Sequence, residues 1–428
     1  MLIALIRRQL QQAHKIAVVK NISWLLSERM LQAGAGILVS ALLARTLGPA
    51  QFGLFQYALS LTLVAGSATL CCGSEVVIPR LVQQPEATKA ILGGAFLLRL
   101  SAALLACLGL NIFAHYHTEP PLSTMLGILS VMVLLHEPFN LVIAWLQSRT
   151  YNRPGVLINS VGVCLRIIIV SALYAAGSQS LSAYTSAWAV EACLVVTLLT
   201  GYFFSQHTVS FSPAQLKLWL KELAYHGSLL WVGLFCMKSF LRMDRLMLKS
   251  FVDLEQLGFY ASAMQVVEGL TSIAPILANS FAPHFVYKID DRKQAWRNIK
   301  HALFMILGLS LTAASLIAVL AQWIIPLVFG QHFLAAIPLL QKAIFISLLV
   351  FIDAMLTPML LRQRASHWIL FKWVAAILAA FCVNMGLIPL WGPSGALAAY
   401  ASGYIIAISM SLVYIIRSLT SETALHTK

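Results

Sequence analysis

Apolar residues run on in this chain without the regular polar interruptions of a half-buried helix or strand. The apolar runs are about 18 residues or longer, which is what an α-helix needs to cross a bilayer core of about 30 Å at 1.5 Å per residue. Twelve such spans are predicted: Ile22–Ala44, Leu54–Glu75, Ala90–Ala114, Leu122–Leu146, Gly155–Ala176, Leu181–Phe204, Leu223–Lys249, Leu257–Val286, Ala302–Ile325, Ile337–Leu361, Trp368–Leu390 and Ser394–Ile416. The polar intervals are short. The longest, Phe204–Glu222 and Tyr287–His301, leave no room for a separate catalytic domain. The fold class this predicts is an all-α integral membrane protein.

Composition agrees: 60% of the residues are apolar and 10% charged, against about 25% charged in soluble domains. The formal net charge of +14 invites a nucleic-acid partner, and its placement argues against one. Arg7, Arg8, Lys15 and Lys20 precede the first span; Arg80 and Lys89 follow the second, Arg149 and Arg153 the fourth, Lys217 and Lys221 the sixth. Lys288, Arg292, Lys293, Arg297 and Lys300 follow the eighth, Arg362 and Arg364 the tenth, Arg417 and Lys428 the twelfth. The intervening loops hold only Arg45 and the borderline Lys249. Such alternation is the positive-inside pattern, which places both termini in the cytoplasm and requires an even number of spans. The opening segment, MLIALIRRQLQQAHKIAVVK, lacks a signal-peptide cleavage pattern and reads as an amphipathic helix on the inner leaflet.

One span breaks the apolar rule. Lys238, Arg242, Arg245 and Lys249 are spaced i, i+4, i+7 and i+11, so at about 100° per residue they share a stripe roughly 60° wide. A charged side chain near the bilayer centre costs at least about 2.5–3.5 kcal/mol on insertion scales. A row of them predicts a wet, cationic cavity suited to an anionic substrate. Arg29 in the first span and Arg166 in the fifth are further candidates for that wall. Arg29 also has Glu28 as a neighbour, and Arg166 has Glu137 or Glu191 as structural partners. Asp244 points roughly 120° from the stripe. Glu28, Asp244, Glu268 and Asp353 are acids able to carry a proton or coordinate a coupling ion; Glu268 and Asp353 could equally pair with Lys238 or Lys342. Glu75 and Glu137 fall near helix ends, where water is the simplest partner. Pro275 and Pro283 interrupt the eighth span and Pro358 lies late in the tenth, each a kink site. Gly34 and Gly36 suit close helix packing.

The chain repeats itself. QFGLFQYALS from Gln51 and QLGFYASAMQ from Gln256 share Gln-apolar-Gly-apolar-aromatic, with Ala58 matching Ala263. Six spans separate the copies, so both have one orientation, as in two parallel lobes related by an axis along the membrane normal. The implied organisation is an N-terminal segment 1–20, a lobe 21–205, a cytoplasmic linker 206–222, a second lobe 223–418 and a tail 419–428.

ARTLGPAQFGLFQYALS (Ala44–Ser60) resembles the first outer loop of Wzx-type polysaccharide (O-antigen) flippases, in the superfamily of multidrug, oligosaccharidyl-lipid and polysaccharide exporters. Glu28-Arg29, Arg242-Met243-Asp244 followed by LGFYASAMQVVEG, Pro326–Gly330 and Leu387–Ala396 resemble further segments of that family. The resemblance implies a V-shaped MATE-like pair of six-helix lobes. It also implies alternating access in the bacterial inner membrane for an undecaprenyl-diphosphate-linked oligosaccharide, with Arg29, Arg166, Lys238, Arg242 and Arg245 around the diphosphate. The expected company is membrane lipid, with a polysaccharide polymerase and chain-length regulator in the pathway, and the expected state is a monomer. Some lipid II flippases use a sodium site between spans seven, eleven and twelve. The resemblance would put Asp244 and Asn384 in that place, and the missing second acid on span eleven argues against sodium coupling.

No Walker A sequence, no His-Glu-x-x-His and no dense ligand set occur, so no catalytic residue, cofactor or metal is assigned. The seven cysteines all lie in apolar runs and form no C-x-x-C pair, which predicts free buried thiols. Two rival classes remain. A membrane polymerase or glycosyltransferase should carry a large catalytic outer loop. A MATE-like exporter of small cations should carry an acidic cavity.

Overall fold

The computed structural model describes residues 2–206, 213–287, 289, 291–363 and 365–426. The side chains of residues 2–22, 213–214, 226, 283–284, 366 and 421–426 lie outside that description. The amphipathic character of the opening segment, linker residues 207–212, Lys288, Arg364 and Lys428 therefore fall beyond it. Among the described residues every regular element is helical. In chain order these are α1 (Leu2–Ser67), α2 (Ser74–Gln83), α3 (Thr88–His117), α4 (Leu122–Phe139), α5 (Leu141–Ser148), α6 (Arg153–Ala175), α7 (Leu181–Gln206) and α8 (Pro213–Phe251). Then follow α9 (Leu254–Thr271), α10 (Ala274–Ala282), α11 (Arg292–Val328), α12 (Ile337–Ala343), α13 (Ser347–Arg362), α14 (Ser366–Trp391) and α15 (Pro393–His426).

Among the described residues ten helical stretches are long and apolar enough to cross a membrane. One of them, Ser23–Ser67, is 45 residues long, about two bilayer cores at 1.5 Å per residue. It holds two crossings because the chain turns at Gly48, whose φ of 75° and ψ of 174° leave the helical region. Only glycine takes that φ without strain, and Pro49 then starts the next limb with its φ already helical. α8 supplies the remaining crossing. It is not among the ten, since Lys238, Arg242, Asp244 and Arg245 crowd its apolar stretch. The result is the twelve-span, all-helical architecture expected from the sequence.

Helix starts follow local chemistry. The Asp253 carboxylate accepts from the Gln256 amide and caps α9; Asp291 accepts from the amides of Lys293 and Gln294 and caps α11. The eighth span breaks between Thr271 and Ala274, immediately before Pro275, whose ring removes a helix hydrogen bond. It ends in a π-turn over Pro283–Tyr287. Pro358, by contrast, sits inside an unbroken α13. α8 starts ten residues before the predicted seventh span, so helix occupies most of the polar interval that the sequence suggests as linker.

α1 packs along α9, α6 and α8, and α8 packs on α14, joining the two halves of the chain. Near the Gly48 turn, Phe52 meets Phe329 and Phe333 at 6.2 and 5.7 Å between ring centroids. There Arg45 donates to the carbonyls of Leu327 and Val328 at the end of α11. Outward-facing Leu105, Phe304, Leu309, Val319 and Leu378 are exposed, as a lipid-facing belt requires. The seven cysteines are free, and Cys164, Cys193 and Cys382 are exposed rather than buried. An apolar run tells depth in the bilayer and not which face of the helix points to lipid.

Candidate functional site: a cavity between the halves

A cavity of about 390 Å³ lies where α1, α4, α6 and α7 face α8. Arg166, Lys238, Arg242, His136, Glu137 and Trp188 reach its wall, and Leu59, Leu63, Met132 and Leu241 fill between them. Three of those side chains are basic and one is a carboxylate, so basic groups outnumber acids on the wall.

Each arginine is held from behind. On α6, Arg166 Nη1 lies 2.9 Å from Glu191 Oε2 of α7, and its guanidinium stacks 5.2 Å from the Trp188 ring centroid. On α8, Arg242 Nη1 donates to Glu268 Oε1 of α9 at 2.8 Å. Arg245 Nη2 donates to that same oxygen at 2.7 Å. Arg245 is fully enclosed, with its Nε and Nη1 lacking partners among the described residues. Arg242 keeps 24% of its side chain exposed. The predicted stripe therefore splits by depth: Lys238 and Arg242 reach the cavity, Arg245 lies behind Glu268, and Lys249 is half-buried farther along. Among the described residues Lys238 has no hydrogen bond or ion pair.

Arg29 is exposed and, among the described residues, makes only a long 3.5 Å contact to Gln32. Its neighbour Glu28 turns the other way, accepting from Asn159 of α6 at 2.7 Å and from Gln32 at 3.2 Å. Asp244 is buried, with its carboxylate taking the Tyr260 hydroxyl at 2.5 Å and the Arg245 amide at 2.8 Å. Asn384 is buried too, and its Oδ1 has no partner among the described residues. Two expectations on pairing need correction. Asp353 does not meet Lys342 or Lys238: it takes Lys372 Nζ of α14 at 2.6 Å, with Thr357 at 3.4 Å from the same nitrogen. Glu268 meets arginines rather than Lys238, because its helix turn faces Arg242 and Arg245.

Three groups escaped the sequence reading. Arg99 of α3 is 1% exposed and donates to the Glu137 and Cys72 carbonyls at 3.0 and 2.9 Å. Its guanidinium lies 3.6 Å from the Glu137 carboxylate. His136 lines the cavity with Nδ1 3.2 Å from Glu137 Oε1. Lys372 is buried against Asp353. A lone cation in the middle of an apolar run is the signal that singles out Arg166, and it marks Arg99 equally.

The fold is a MATE-like bundle of membrane-spanning helices with a cavity between its two halves. Among solved structures, the lipid II flippase MurJ in an inward closed conformation matches with a TM-score of 0.73 at 14% identity, covering 93% of this chain and 87% of that one. An inward-facing multidrug resistance MATE transporter of the MOP superfamily matches at 0.66 and 13% identity, over 92% and 95% of the two chains. The eukaryotic MATE transporter AtDTX14 matches at 0.63 and 16%, over 94% and 96%. No curated protein sequence aligns with the chain at a significant level. The family model described as polysaccharide biosynthesis protein matches residues 18–287, and the chain belongs to that family.

Proposed function

We propose that the protein is a flippase that carries an undecaprenyl-diphosphate-linked oligosaccharide, such as an O-antigen repeat unit, from the inner to the outer leaflet of a bacterial inner membrane. The observation that carries this reading is the wall shared by Arg166 of the first half and Lys238 and Arg242 of the second. A diphosphate leaving water needs several charge-assisted hydrogen bonds, and guanidinium and ammonium groups supply them. Cations on both sides let one anion bridge the halves, as alternating access between lobes 21–205 and 223–418 requires. Family membership and the fold shared with MurJ support a lipid-linked cargo. The positive wall disfavours a small-cation exporter, and the short loops disfavour a polymerase. Arg29 stands at the entrance in this reading, with the termini in the cytoplasm.

Glu268 is the acid whose pairing changes on loading. It holds Arg242 from behind, and a diphosphate would compete for the same guanidinium. Asp353 with Lys372, Asp244 with Tyr260, and Glu28 with Asn159 are the remaining candidates for coupling to an ion or proton.

The test is appearance of the sugar head on the far face of inverted vesicles. Lys238→Ala combined with Arg242→Ala should lower the rate by about tenfold or more, the loss of two charge-assisted contacts, with the protein still in the membrane. Unchanged translocation by that variant would remove the reading.

A further inference from the structure

A second basic hollow lies far from the cavity. Arg292 opens α11, Gln363 follows α13, Trp368 lies in the first turn of α14, and Tyr414, Arg417 and Ser418 lie near the end of α15. These six side chains line a space of about 440 Å³. Four helix ends thus meet at one surface of the second half. Gln363 Nε2 donates to Ser418 Oγ at 3.1 Å, tying α13 to α15. Trp368 and Tyr414 pack with ring centroids 5.2 Å apart, tying α14 to α15. Among the described residues no acidic side chain lines the hollow.

We propose that this hollow binds the phosphate headgroup of an anionic phospholipid. Two guanidiniums suit a phosphodiester, and Trp and Tyr favour the headgroup layer. Basic pockets between helix ends on the positive side of membrane proteins take anionic headgroups. What favours a lipid over a free anion is the surrounding surface: Leu361, Phe371 and Ile416, each within a few residues of the hollow, are exposed apolar side chains that offer acyl chains a path away from it. The proposal requires only that the chain be embedded in a membrane, and it stands or falls separately from the cargo of the central cavity.

The experiment uses the full chain, purified, stripped of lipid and titrated with dioleoylphosphatidylglycerol or dioleoylphosphatidylcholine, with bound lipid counted by native mass spectrometry. Phosphatidylglycerol should be retained in preference by about tenfold. Arg292→Gln with Arg417→Gln should erase the preference, and Lys238→Ala with Arg242→Ala should leave it intact. A photoactivatable phosphatidylglycerol should cross-link the unsubstituted chain at peptides holding Trp368 and residues 414–418, so the site is tested even where the double variant misfolds. Equal retention of both lipids would overturn the proposal. So would an undiminished preference in the folded Arg292/Arg417 variant, displacement by millimolar inorganic phosphate, or cross-links confined to other helices.

Discussion

Gly53 and Gly258 are each other's close neighbour where α1 crosses α9, and they stand 205 residues apart, the offset of the repeat that contains them. A Cβ on Gly53 would overlap the carbonyl of Leu254 and lie 2.9 Å from the Gly258 nitrogen. A Cβ on Gly258 would overlap the carbonyl of Pro49. Pro49 and Leu254 are themselves 205 residues apart, so the contact is reciprocal, as a two-fold axis through the crossing demands.

Alanine at either glycine must therefore push two backbones apart. Overpacking of this kind costs about 1–3 kcal/mol. Gly53→Ala and Gly258→Ala should each lower the thermal unfolding midpoint of the purified protein. Gly34→Ala is the control, since its Cβ would meet nothing within 4 Å and alanine raises helix propensity by up to about 1 kcal/mol. Equal midpoints for all three variants would refute the close crossing.

The repeat was readable before any coordinates, and so were the spans, because both are written in hydrophobicity and glycine. The cationic face of α8 was readable because four charges in one apolar run cannot be averaged away. Pairing was not. Lys372 lies early in its predicted span, eight residues along the sequence from the basic loop that holds Arg364, where a lysine ordinarily snorkels to water, and nothing in the chain announces that Asp353 will bury it. Likewise the stripe gave the direction of Lys238, Arg242 and Arg245 without their depth. Depth depends on α9, which covers Arg245 and leaves Arg242 open.

The Asp353–Lys372 pair has side-chain exposures of 8% and 1%, and breaking a pair so enclosed leaves a charge with no solvent. Lys372→Met alone or Asp353→Leu alone should cost about 3–5 kcal/mol, whereas removing both together is close to neutral. A double-mutant cycle on unfolding midpoints measures this. Additive losses in the Asp353→Leu/Lys372→Met protein would show that the two side chains act independently.

Arg242 and Arg245 share one oxygen of Glu268 and differ in exposure, 24% against 0%. Their substitutions should separate accordingly. Arg245→Met leaves Glu268 with Arg242 alone and empties a fully enclosed, packed site, so stability and yield in the membrane should fall sharply. Arg242→Met leaves Arg245 on Glu268 and should be tolerated by the fold while impairing translocation. The two readouts, unfolding midpoint and transport rate, should rank the variants in opposite order only if Arg242 faces cargo; a larger stability loss for Arg242→Met would contradict the geometry.

On the facing half, Arg166 does two things with one group: its edge meets Glu191 at 2.9 Å and its face lies over Trp188. A lysine keeps the charge but is a point donor on a flexible stem, without the planar fork that stacks and donates at once. Lys238 has no ion pair among the described residues and projects into the cavity alone, so an arginine there preserves what it supplies. Arg166→Lys should therefore weaken binding of a soluble pyrophosphate-sugar analogue by about tenfold, the order of one lost charge-assisted contact, while Lys238→Arg should change it by about twofold or less. Competition against a fluorescent analogue on the purified protein gives both numbers. If Lys238→Arg proved the more damaging, the cavity would be reading the compact ammonium rather than total positive charge, and Arg166 would be left as a support for Trp188 rather than a contact to the anion.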